Sequence, residues 1–210
     1  MDSADLLGLL DAASTVGHFV EGRLLSRVPW IFETAELFAG WRNDVGAAAR
    51  VRPEDIYIVG SAATGFSLSP TKPGRPFQRL SPGTSRASDI DVALVGRRLF
   101  DEAWEQLLAE DRHGRLGRQL PSRGDISKWQ QLSKLRTDVY WGTISHGHTI
   151  AGSRTGQRIR LTLAAVTRRA PLAGYYARIR IYRRRSDLVA YHEQSLRRLV
   201  NSLRHPGDQL

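Results

Sequence analysis

Two short apolar runs that bracket a polar insert constrain this chain most: IYIV at Ile56–Val59 and IDVALV at Ile90–Val95. β-Branched and aromatic residues favour strands, so the first run predicts a buried strand. It stops at Gly60-Ser61, where a glycine lets the backbone turn sharply. The second run alternates: Asp89, Asp91, Ala93 and Val95 fall on one face of a strand, with Ile90, Val92 and Leu94 on the other. Two carboxylates therefore project side by side, their backbones roughly 6.5 Å apart. That is near enough for both to reach a pair of cations about 3.5–4 Å apart.

Hard divalent ions take oxygen ligands and usually enter with substrate phosphates. A turn at Gly60-Ser61 offers such phosphates backbone N–H groups and a hydroxyl. At these residues the sequence resembles the DNA polymerase beta-like nucleotidyltransferase superfamily, whose pattern is an apolar strand, Gly-Ser, then a strand bearing Asp-x-Asp. The matching residues are Gly60, Ser61, Asp89 and Asp91, with Ser88 before the first Asp; the match covers residues 50–100 strongly and the rest by layout. The resemblance implies an α/β (α+β) fold, a small mixed sheet flanked by helices with N- and C-terminal helical additions. It also implies a metal-dependent transfer of a nucleoside monophosphate from an NTP, ATP first among them, to a hydroxyl on RNA, a nucleotide, a protein or a small molecule. Asp89 and Asp91 are the implied catalytic residues and ligands of Mg²⁺ or Mn²⁺, and Gly60, Ser61 and Ser88 the implied nucleotide-binding residues. Members of the superfamily include second-messenger synthases and toxin-like or antiviral defence enzymes.

Two departures qualify that expectation. Ser61 and Asp89 are 28 positions apart, longer than the usual spacing, so an extra loop is expected over or beside the site. The family also adds a third carboxylate from a later strand, and the clear later strand here, Tyr175–Arg183, presents Arg178, Arg180 and Tyr182 on its polar face. An arginine facing the Asp pair competes with a cation. Asp138 is the nearest substitute, and its helical context suits a capping or surface role. The alternative expectation is thus a catalytically weak nucleotidyltransferase-fold protein that binds nucleotide or nucleic acid and acts with a partner chain or a second copy. An arginine-rich structural subunit, in which the Asp pair only caps a strand, is the third reading.

The chain has 210 residues and is expected to form one domain, 1–210, with N-terminal helices over 1–50, a sheet-containing core over 51–183 and a C-terminal helix over 184–210. No cysteine is present, which excludes disulfides, zinc–thiolate sites and a cysteine nucleophile. No run approaches the roughly 18 apolar residues of a membrane span, and MDSADLLGLLDAAS carries acids where a signal peptide carries bases; a cytoplasmic protein without membrane partners is expected. The net charge of +10 is unevenly placed: residues 151–204 hold 13 Arg against Asp187 and Glu193, whereas 1–150 are balanced at 18 bases and 18 acids. Arginine's planar fork suits phosphate oxygens, so RNA or another polyanion is an expected partner for this quarter.

Helical spacing predicts an N-terminal helix over 3–27 and a second beginning near Pro29 with Ile31, Phe32, Ala35, Leu37 and Phe38 as its core face. Residues 68–86, rich in proline and bases, predict a loop, either a plain surface excursion, the commoner case, or a flap that brings Lys72, Arg75 or Arg79 towards a triphosphate. Further helices are expected on Leu99, Phe100, Trp104, Leu107 and Leu108, on Ile126, Trp129, Leu132 and Leu135, and from a Ser186-Asp187 cap to the C-terminus. QRIRLTLAAVTRR (157–169) fits strand or helix, and His146 and His148 fall in a glycine-rich loop.

Overall fold

The computed structural model describes residues 3–11, 15–81, 87–116 and 127–205, and it is a mixed α+β fold. Ala13, Arg86, Ile126 and all but the last residue of the turn expected at 121–127 lie outside the described residues. Four strands, β1 (Ile56–Val59), β2 (Ile90–Val95), β3 (Thr143–Ser145) and β4 (Ala177–Tyr182), form one sheet in the order β1-β2-β4-β3. β1 runs antiparallel to β2, β2 parallel to β4, and β4 antiparallel to β3. The helices are α1 (Ser3–Asp11), α2 (Val16–Phe19, continued as a π-turn to Leu25), α3 (Ala35–Ala49), α4 (Ser61–Thr64), α5 (Arg97–Arg112), α6 (Lys128–Tyr140), α7 (Arg154–Val166) and α8 (Arg185–Arg204). Among the described residues no helix is long and apolar enough to cross a membrane.

Register separates the two faces of the sheet. Ile58 opposes Val92, which lies beside Ile179, and Ile56 opposes Leu94, which lies beside Ile181, so one face is an unbroken buried aliphatic surface. α3 packs there, its Gly46 close to the Ile56 side chain, and α7 is tied to α3 where Trp41 Nε1 donates to Val166 O at 3.1 Å. The other face carries Tyr57, Val59, Asp91, Ala93, Arg178, Arg180 and Tyr182. α8 lies over part of it, with Tyr191 edge-on to Tyr182 at a centroid distance of 5.8 Å. A fully buried Tyr182 corrects its expected place on an exposed face: the ring belongs to the polar side of β4, but α8 covers it.

Other expectations also shift. Pro29–Glu33 is not helical; α3 begins after Thr34, whose hydroxyl accepts from Leu37 N, and Leu37 points outward. The α8 helix starts one residue before the expected Ser186-Asp187 cap, with Arg184 as its N-cap. In α6 the exposed Trp129 was expected inside, yet the buried stripe is Gln131, Leu135 and Asp138, spaced one helical turn apart. Asp138 is accordingly neither a cap nor a surface group. Of residues 157–169, the stretch to Val166 resolves as helix, and the segment before His146 as β3.

The insert after β1 is docked rather than free-standing over 67–81. Phe77 is buried between Trp30 and Tyr175, Phe77 N donates to Gly65 O, and Leu80 N donates to the Tyr175 hydroxyl at 2.8 Å. Arg79 stacks on Trp30.

Close packing at the start of α7 gives a test. A Cβ at Gly156 would lie 2.0 Å from Ile150 O, a backbone atom that cannot step aside, whereas one at Gly152 meets nothing within 4 Å. Gly156→Ala should therefore lose at least ~2 kcal/mol of stability and Gly152→Ala stay within about 0.5 kcal/mol of the parent. Denaturant melts of the two variants side by side check this; equal midpoints would refute the packing described for α7.

Candidate functional site

β1 ends where Gly60 takes φ +68°, ψ −152°, a conformation that excludes side chains. Its absent side chain also leaves room for the neighbouring strand, since a Cβ there would stand 3.0 Å from Asp91 Oδ2. Ser61 opens α4 directly after this corner. The sequence-predicted Gly-Ser turn and the second acid of the Asp pair thus meet across the β1–β2 ladder, where Val59 opposes Asp91. Ser88 sits just before the pair and is engaged elsewhere: its hydroxyl accepts from Gln78 N at 3.0 Å and its own N–H donates to Gln78 O.

Parallel pairing then sets Arg178 directly beside Asp91 and Arg180 beside Ala93. Arg178 Nη2 lies 2.6 Å from Asp89 Oδ2, a short charge-assisted contact, and its guanidinium rests 5.8 Å from the centre of the exposed Tyr176 ring. Arg180 reaches the other way, its Nη1 3.0 Å from Asp138 Oδ1, and it stacks on Tyr191. Buried His148 stands with Nδ1 3.6 Å from the second oxygen of Asp138. Asp138 is thus committed to the support of Arg180 and is no third member of the Asp pair.

A cleft of about 400 Å³ opens beside these groups; of the site residues expected from the sequence Gly60 and Asp91 line it, and Ser61, Ser88 and Asp89 do not. Its walls include Gly60 and Asp91, Arg178 and Arg180 of β4, Lys134 of α6, Ser145 at the end of β3 and His146 after it, and Tyr191 and His192 of α8. None of Lys72, Arg75 and Arg79, the insert cations expected near a triphosphate, lines it. Helical spacing puts Lys134 on the outer face of its helix, as a solvated cation or one that could touch a triphosphate, and it gives His192 no role. Both are placed by elements that meet only in three dimensions.

Electrostatics in the cleft are dominated by loss of water. Burial raises the Asp91 carboxyl from 3.8 to about 6; Arg178 and Arg180 pull it down and Asp89 pushes it up, but desolvation prevails. Burial, aided by Arg180, lowers His192 to about 4, so that imidazole is neutral at neutral pH. Its Nε2 is buried and makes no hydrogen bond.

The donor set can be tested against the pair of divalent ions that the resemblance implies. Two carboxylates stand together, one is already held by a guanidinium, and the next strand offers arginine at the level of Asp91. Among the described residues no group of three or more His, Asp or Glu is arranged to hold a metal. As placed, this set does not fit two divalent ions.

The raised Asp91 value has a stability consequence whose sign is fixed. A carboxyl with a folded pKa above its unfolded one contributes stability that is fully present below 3.8 and is lost as pH rises through about 6, on the order of 3 kcal/mol at full ionisation. Asp91→Asn should therefore melt above the parent at pH 8, with the gap closing towards pH 4. Thermal melts across that range check it, and a gap constant with pH would show that Asp91 ionises unperturbed. Comparison of the chain with protein-family models, with curated proteins and with solved structures finds no match.

Proposed function

We propose that the chain is a nucleotidyltransferase-type protein whose cleft binds a nucleoside triphosphate, ATP first, and whose own transfer activity is weak or absent. The observation that carries this reading is the meeting, in one cleft, of the Gly60 corner and Asp91 with three cations, Lys134, Arg178 and Arg180. Its volume of about 400 Å³ falls in the range of small-molecule sites. Weak turnover follows from Arg178, which bonds Asp89 where an active centre needs both carboxylates free for cations.

A metal-dependent transferase is the second reading, favoured by two carboxylates two positions apart, Asp91 on β2 and Asp89 just before its first residue. It requires that a cation displace Arg178 and that a further carboxylate come from a partner chain or a second copy. An RNA partner for the arginine-rich quarter draws less support. Of its thirteen arginines, six are paired with acids from residues 1–150: Arg158, Arg169, Arg178, Arg180, Arg185 and Arg204.

Calorimetry with ATP and incorporation of α-labelled nucleotide by the purified protein separate these readings. The expected result is saturable ATP binding, weakened about tenfold by Lys134→Ala, an effect of ~1.4 kcal/mol in keeping with one lost charged contact. Incorporation should be at background. Vigorous incorporation abolished by Asp89→Asn would establish the transferase reading, and no ATP binding would remove the nucleotide reading altogether.

A further inference from the structure

We propose that the cleft takes the phosphates of its ligand directly, without a divalent cation, Arg178 supplying the positive charge at the acid pair. The inference deepens the nucleotide-binding reading and rests on it for the identity of the ligand. Its ground is the ladder between β2 and β4. Neighbouring strands lie about 4.8 Å apart, so a residue in register with Asp91 cannot leave its vicinity. Arg178 holds that register position and closes on Asp89 Oδ2 at 2.6 Å. A divalent ion on these carboxylates would have to share the space with a permanent positive charge that has been deprived of its partner.

Arg178 is also suited to meet a phosphate. A guanidinium has five N–H donors, and the bond to Asp89 uses only part of that fork. Its side chain remains 58% exposed on the wall of the cleft, and the Tyr176 ring beneath it limits its freedom. Lys134 and Arg180 stand on the same walls, and Asp91 is the one carboxylate among the lining residues. On the lining itself three cations face one acid, while Asp89 and Asp138, the acids that answer Arg178 and Arg180, stand outside it, so a ligand in the cleft meets the cations first. The buried Nε2 of His192, without a hydrogen-bond partner, adds a neutral polar contact of the kind a phosphate or ribose oxygen can satisfy.

The test uses the full chain. Tripolyphosphate and ATP are titrated by calorimetry in EDTA and again in Mg²⁺, and Mn²⁺ is titrated alone with detection by electron paramagnetic resonance. Tripolyphosphate should bind in EDTA with no more than about a twofold gain from Mg²⁺, and Arg178→Ala should weaken it at least tenfold. Arg178→Lys, which keeps the charge, should retain part of the affinity. The parent should hold Mn²⁺ at least tenfold more weakly than Arg178→Asp, which puts a third carboxylate beside Asp91. Binding of both anions only in Mg²⁺ overturns the proposal and leaves the nucleotide reading standing. Mn²⁺ bound by the parent as tightly as by Arg178→Asp overturns it without reference to any nucleotide. Tripolyphosphate bound in EDTA while ATP is refused in both buffers supports metal-free phosphate capture and removes the nucleotide reading, whereas refusal of both anions overturns the two together.

Discussion

The six-residue parallel ladder between β2 and β4 brings Asp91 to Arg178 and Ala93 to Arg180, and the character of the cleft follows from that register. Parallel strands need a long crossover, and here the connection from Val95 to Ala177 carries α5, α6, β3 and α7. β4 is therefore a central strand, bonded on both sides. Central strands in covered sheets are usually apolar on both faces. A strand reading ARIRIY in that position instead drives two guanidiniums into a cleft floor, and each must be answered by an acid. Asp89 answers Arg178 and Asp138 answers Arg180. Removing Asp138 would leave the largely buried Arg180 under-compensated, a more serious loss than the pair's own net worth, whereas Arg178, more than half exposed, stays solvated without Asp89.

What local periodicity can report, it reported. The alternation of SDIDVALV identified the acid-bearing face of β2, and the apolar run before Gly60 identified β1, because both signals lie within a few residues of sequence. Where the outcome depends on what covers a face, the same rule misled. Trp129, Leu132 and Leu135 have helical spacing, but so do Gln131, Leu135 and Asp138, and the second stripe is the buried one because Arg180 waits opposite it. Tyr182 alternates with two arginines and yet is buried, since α8 ends its exposure at that level. β3 is three residues long and leans on β4 for its definition. The Asp pair, the Gly60 corner and an arginine of β4 facing the pair are legible in the sequence; Lys134 and His192 reach the cleft from elements far apart in the chain.

The arginine excess of the C-terminal quarter has a similar lesson. Counted along the sequence it is a polyanion footprint; placed in space it stitches late elements to early ones. Arg204 meets Asp11, Arg185 meets Glu21, Arg169 meets Asp44 and Arg158 meets Glu102. The exposed pairs among them contribute little by themselves, being screened by water and salt. Arg158 differs, with its side chain only 10% exposed. Burial pushes Glu102 up, but Arg98 and Arg158 outweigh it and hold the carboxyl below its ordinary range. Its pair joins α7 to α5, two helices of the crossover.

The cleft's own charge is set less by how many cations it holds than by how dry it is. Two arginines act on Asp91, and its pKa still rises to about 6, so the cost of removing water from the carboxylate exceeds their attraction. In such surroundings every unscreened charge counts for more than it does at the surface. His192, held near 4, stays neutral at neutral pH and offers a hydrogen bond in place of a charge. As pH falls towards 6, Asp91 takes up a proton before His192 can, and the one acid of the lining loses its charge while Lys134, Arg178 and Arg180 keep theirs. Through Asp91, selectivity for an anion therefore strengthens on mild acidification, and His192 takes no part in that change.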